Sequence, residues 1–133
     1  MRVMKIDNIL LDRLTTQAKE SPRLRMNLDL RNSDADSSQR MLNAIEPGSV
    51  VPIHRHQNTS ETVVVLRGRV VEEYYSSEGE CVASYDLAAG GPICALNIPA
   101  GQWHTLRSLE SGTVILEMKD GAYEAIKEED VLR

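Results

Sequence analysis

The chain contains no phenylalanine and a single tryptophan, Trp103, so aliphatic side chains must fill whatever core it builds. Its two cysteines, Cys81 and Cys94, are too few for a disulfide framework and read as small buried residues. A basic surplus is also missing. Lys and Arg number 15 against 20 Asp and Glu, and the resulting net charge of −5 argues against a nucleic-acid-binding surface. No apolar run approaches the ~18 residues of a membrane span, the longest resembling Val63–Leu66. Asp7, Asn8 and Asp12 interrupt any signal-peptide core near the start, so a cytoplasmic location is expected. A length of 133 residues corresponds to about one domain.

One helix is legible. Asp7 is a good N-cap, Leu10, Leu11, Leu14 and Ala18 share a face behind it, and Ile6 and Leu11 occupy the places of a hydrophobic staple. Pro22 ends the segment by disfavouring helical geometry at Ser21. The period then changes to two. Leu24, Met26, Leu28 and Leu30 alternate with Arg23, Arg25, Asn27, Asp29 and Arg31, as in a strand with one dry and one polar face. After the polar loop Asn32–Ser38, Arg40–Ile45 reads as a second strand.

Turn signals are regular thereafter: Gly68, Gly79, Gly90, Gly101 and Gly112 recur every eleven residues. They separate β-rich runs at Glu61–Leu66, Arg69–Tyr75, Cys81–Leu87, Cys94–Ile98, Trp103–Leu106 and Thr113–Met118. Such spacing suggests a sandwich or barrel and leaves no room for crossover helices. The charged stretch Glu124–Val131 reads as a helical turn or a frayed end.

The chain has only three histidines. His54 and His56 are two apart, so on a strand both imidazoles face one side while Arg55 faces the other. Gln57–Ser60 is loop-like and can return Glu61 from the following strand. His104 follows the turn Pro99-Ala100-Gly101. Three imidazoles and a carboxylate, without thiolate, suit a divalent transition metal (Zn, Fe, Mn, Ni or Cu) better than a closed structural zinc site.

Gly48, His54, His56, Glu61 and Gly68 stand at the spacing of the first cupin motif, and Pro99, Gly101 and His104 resemble the centre of the second. Gly91 stands two residues further upstream of Pro99 than that motif usually has its glycine, and Ser108 replaces a common asparagine. The resemblance implies an all-β fold, a cupin-type antiparallel jelly-roll barrel with a short N-terminal helix. Residues 1–22 would form the helical extension and residues 23–133 the barrel, as one domain overall. It also implies His54, His56, Glu61 and His104 as metal ligands. From Ile6 to Tyr123 the chain further resembles the WbuC family, cupin-fold metalloproteins often encoded among bacterial surface-polysaccharide genes. The residues carrying that likeness are Ile6-Asp7, Ser21-Pro22-Arg23, Arg25, Asn27, Gln39–Ala44, His54-Arg55-His56 and Lys119–Tyr123.

Arg23, Arg25, Asn27, Gln39 and Arg40 form a candidate substrate-binding wall, since guanidinium forks hold phosphate or carboxylate well; a solvated face or subunit contact explains them equally. Trp103 should point away from His104 and pack. If every histidine binds metal, none remains as a separate base. The expected function is then metal-dependent chemistry on a small polar metabolite such as a sugar or sugar nucleotide, by isomerisation or by oxygenation with iron. The alternative is a non-catalytic cupin that binds or senses a small molecule. The apolar face of Leu24–Leu30 suggests a homodimer.

Overall fold

The computed structural model describes residues 3–133; residues 1 and 2 of the expected helical extension lie outside the described part. Helix α1 spans Asn8–Glu20, and the Asp7 carboxylate accepts the Leu10 N–H at 3.0 Å as its N-cap. Ile6 stays 45% exposed, so the proposed staple does not bury it. The helix stops where the Ser21 N–H donates to the Ala18 carbonyl, one residue before Pro22.

Ten strands follow: β1 (Arg25–Asp29), β2 (Ser38–Ile45), β3 (Ile53–His54), β4 (Glu61–Arg67), β5 (Arg69–Tyr75), β6 (Cys81–Ala88), β7 (Ala95–Ile98), β8 (Trp103–Ser108), β9 (Val114–Asp120) and β10 (Val131–Leu132). They form two antiparallel five-stranded sheets, ordered β1-β2-β9-β4-β7 and β10-β3-β8-β5-β6. This is the cupin-type jelly roll. The glycine turns work as expected at Gly68, whose φ of +86° favours glycine and where a Cβ would collide with Thr113.

Strand alternation divides the first sheet into two apolar faces. Ile45, Val63, Val65 and Ile115 face inward and meet Val70, Leu87 and Leu106 of the opposite sheet. On the outer face, Leu42, Ala44, Val114 and Leu116 pack beneath Leu10, Leu11, Leu14 and Ala18 of α1. Arg67 pins the helix to this sheet, bonding Asp12 at 2.6 Å, the Thr15 hydroxyl at 3.0 Å and the Gly112 carbonyl at 2.8 Å.

This layer removes the reason for expecting a dimer on the β1 face. Met26, Leu28 and Leu30 are covered by the chain's own helix, and Leu24, at φ 57°, lies outside the strand. Cys81 and Cys94 also depart from expectation, because both are exposed. Cys81 opens β6, which lies at the edge of its sheet, and Cys94 precedes β7, at the edge of the other.

The charged C-terminal stretch closes one end of the barrel. A 3-10 turn at Glu128–Asp130 leads into β10, which pairs with β3 so that Val131 opposes His54. Arg55 and Gln57 hold the Asp130 carboxylate at 2.9 and 2.6 Å. Among the described residues no helix is long and apolar enough to cross a membrane.

Candidate metal centre

Strand pairing assembles the histidines. His54 on β3 is the register partner of His104 on β8. His56 follows β3, and its carbonyl accepts the Gly101 N–H at 2.8 Å, which ties the two histidine segments together. One ring nitrogen from each of His54, His56 and His104 lies within 4.8 Å of the others. Glu61, the first residue of β4, reaches the cluster from the opposite sheet. Its Oε2 lies 3.3 Å from His104 Nε2 and 3.6 Å from His56 Nε2. Arg55, between the two imidazoles in sequence, lies over Trp103, 4.6 Å from the ring centroid, and borders the cavity above the cluster.

The donor atoms are prepared for a cation. His54 Nδ1 lies 2.8 Å from the Pro52 carbonyl oxygen and His104 Nδ1 2.8 Å from the Gln102 carbonyl oxygen. A carbonyl accepts, so each Nδ1 carries a proton and each Nε2 is the atom turned toward the cluster. Glu61 Oε2 is buried without an aligned hydrogen-bond donor, despite its nearness to two imidazoles. Burial pushes the basicity of His54 down, and His104 beside it adds to the effect. Burial likewise lowers His56, to about 4. Burial opposes protonation of His104 as well, but the Glu61 carboxylate outweighs it and raises that histidine. The counterpart holds for Glu61: burial favours its neutral form, yet His104, Lys119 and His56 together keep it ionised. His54 and His56 are held toward the neutral form and Glu61 toward the ionised form that bind a divalent transition metal, which on binding would displace the proton that Glu61 favours on His104; these residues fit such an ion.

A cavity of about 310 Å3 lies above the cluster and reaches it through His56. Its lining includes Gln39 and Lys119 on the barrel wall and Tyr123, Glu124 and Lys127 on the C-terminal segment. Gln39 Nε2 donates to the Gly121 carbonyl at 2.8 Å, holding that segment over the opening.

The other residues of the expected substrate wall are placed elsewhere. Arg40 lines only a smaller adjoining hollow and is engaged with Asp36 at 3.3 Å. Arg25 secures the loop after β2 through the Val50 carbonyl at 2.6 Å. Arg23 and Asn27 are exposed and border neither cavity.

Strand parity also brings in residues that motif reading passed over. On β5, Glu72 shares the inward face of Val70; on β9, Glu117 and Lys119 share that of Ile115. Glu72 is fully buried with neither carboxylate oxygen partnered. Burial, aided by Glu61 and Glu117, pushes it up to about 9. Glu117 is also buried, and burial aided by Glu61 raises it, while Asn43 donates to it at 3.5 Å. Register places both acids one layer below the cluster, with Glu72 opposite Leu106 and Glu117 opposite Val63. Reading β5 as an alternating strand continuous with Val70 would have found Glu72.

Comparison with known proteins places the chain. A family model described as "Domain of unknown function (DUF6016)" matches residues 6–87, which include His54, His56 and Glu61. The chain belongs to the DUF6016 family. No curated protein matches it in sequence. Among solved structures, this DUF6016 member is similar to the capsular polysaccharide assembling protein CapF from Staphylococcus aureus, with a TM-score of 0.68 and 18% identity. That match covers 84% of this chain and 30% of CapF. Oxalate oxidase in complex with glycolate aligns with a TM-score of 0.64 and 16% identity, over 80% of this chain and 56% of the oxidase. KdgF from Halomonas sp. gives 0.59 and 17%, covering 78% of this chain and 84% of KdgF. The DUF6016 chain thus spans about a third of CapF, and these distant likenesses establish its cupin fold.

Proposed function

We propose that this protein is a metal-dependent cupin enzyme acting on a small polar metabolite, with His54, His56, Glu61 and His104 as the metal ligands. The observation that carries the reading is the chemistry of the barrel wall. A purely structural metal would be served by aliphatic surroundings, whereas here two further carboxyls, Glu72 and Glu117, are buried beside the donor set at a cost to stability. A bound divalent transition metal supplies Lewis-acid chemistry, or oxygen chemistry if it is redox-active. The chain's own residues exclude water and orient the ligand: the C-terminal segment covers the opening, and Gln39 and Lys119 present polar groups to the cavity.

Surface-polysaccharide metabolism is the context we favour. The WbuC-like motifs support it, as does the fold shared with a capsular polysaccharide assembling protein. A cavity of about 310 Å3 suits a monosaccharide-sized ligand, while a whole sugar nucleotide would extend into solvent.

The test is an NMR-monitored screen of monosaccharides, sugar acids and sugar phosphates. It uses protein reloaded in turn with Zn, Fe, Mn, Ni and Cu, under air. Conversion of one substrate with one metal, abolished by His104→Ala, is expected. Binding of a sugar without any conversion would replace catalysis by a binding or sensing role.

A further inference from the structure

Lys119 is the cation on the barrel wall of the cavity, and among the described residues no carboxylate holds it in an ion pair. It lies on β9 in register with Glu61 on one side and Gln39 on the other, and it lines both the main cavity and the smaller hollow beside it. Yet among the described residues its ammonium makes no ion pair and no hydrogen bond. Neighbouring guanidiniums differ in this respect, for Arg55 is held by Asp130 at 2.9 Å, Arg40 by Asp36 at 3.3 Å and Arg31 by Asp29 at 2.8 Å.

A lone ammonium next to a divalent-metal site is electrostatically unfavourable by itself. Glu61, its cross-strand partner, is turned to the imidazole cluster, 3.3 Å from His104 Nε2 and 3.6 Å from His56 Nε2, and Glu124 and Glu129, which line the cavity from the C-terminal segment, make no ion pair with Lys119. An anionic group on the ligand supplies the partner that Lys119 lacks. We infer that the cavity takes an anionic small metabolite, a sugar acid or sugar phosphate, whose negative group rests on Lys119 while the rest of the molecule faces the imidazole cluster. This rests on the metal-dependent reading above and adds the ligand's charge to it. Carboxylate and phosphate share the chemistry that recognises an ammonium, and size is what separates them.

The experiment is calorimetric titration of the full chain, with and without Ni2+, using inorganic phosphate, glycolate, a uronic acid, a sugar phosphate and the matching neutral sugar. At least one anion should bind about tenfold or more tightly than the neutral sugar, as expected for one charge-assisted hydrogen bond. Lys119→Met should abolish that preference at unchanged nickel content, and Lys119→Arg should restore most of it. A phosphate preference or a carboxylate preference identifies the anion class. Equal binding of anion and neutral sugar, no binding of any anion, or an unaltered Lys119→Met protein would overturn the inference. Failure to take up nickel instead counts against the metal reading, and titration of the metal-free protein then still decides the role of Lys119.

Discussion

His54 and His104 face each other across β3 and β8, and both rings are fixed in the same way, by an Nδ1 that lies 2.8 Å from the carbonyl oxygen two residues earlier. Each ring therefore presents Nε2 to the barrel interior before any ligand arrives. Fixing the tautomer in advance reduces the reorganisation that binding would otherwise require. The device depends on main-chain carbonyls at Pro52 and Gln102, so substitutions of those side chains leave it in place.

Glu72 should make the protein less stable as pH rises. Its carboxyl titrates at about 9 when folded, against an ordinary 4.5, so between those values the folded state holds a proton that the unfolded state has lost. Stability from this group is complete below pH 4.5 and is lost through about pH 9, at about 1.4 kcal/mol per pH unit at most. Denaturant unfolding of metal-free Glu72→Gln protein is expected to show a gain over wild type of about 1–3 kcal/mol at pH 8.5, shrinking toward pH 5. Parallel stability curves for the two proteins would show that Glu72 is not buried in its neutral form.

Helix α1 should contribute stability without shaping the site. A 13-residue helix is marginal alone, and its buried face rests on the outer side of the first sheet, away from the imidazoles. Leu14→Ala, at a position only 3% exposed, is expected to cost about 2–5 kcal/mol in urea unfolding while leaving metal content unchanged. A loss below about 1 kcal/mol would mean that the helix is not docked as described.

The barrel was legible because its signals are local. Glycine turns and alternating strands mark β4, β5, β6, β8 and β9 to within a few residues, and the motif spacing singled out three histidines that converge. Features that depend on distant contacts were not legible. Whether the apolar face of Met26, Leu28 and Leu30 is free depends on α1, and the pattern within β1 carries no information about that cover. The partners of the basic residues were not legible for a related reason. Arg40 finds Asp36 and Arg25 finds the Val50 carbonyl, while Lys119 points into the cavity, and charge pattern alone does not tell a partnered cation from an unpartnered one. The helical turn expected in the tail is present at Glu128–Asp130, whereas β10 was not legible because it has only two residues and acquires its identity by pairing with β3.

The most direct measurement is elemental analysis of the protein purified without chelator, beside His54→Ala, His56→Ala, Glu61→Ala and His104→Ala forms shown by circular dichroism to be folded. About one equivalent of a divalent transition metal per wild-type chain is expected, falling several-fold in each histidine variant and less steeply in Glu61→Ala. Full metal retained by both the His54→Ala and His104→Ala proteins would contradict a metal centre at this site.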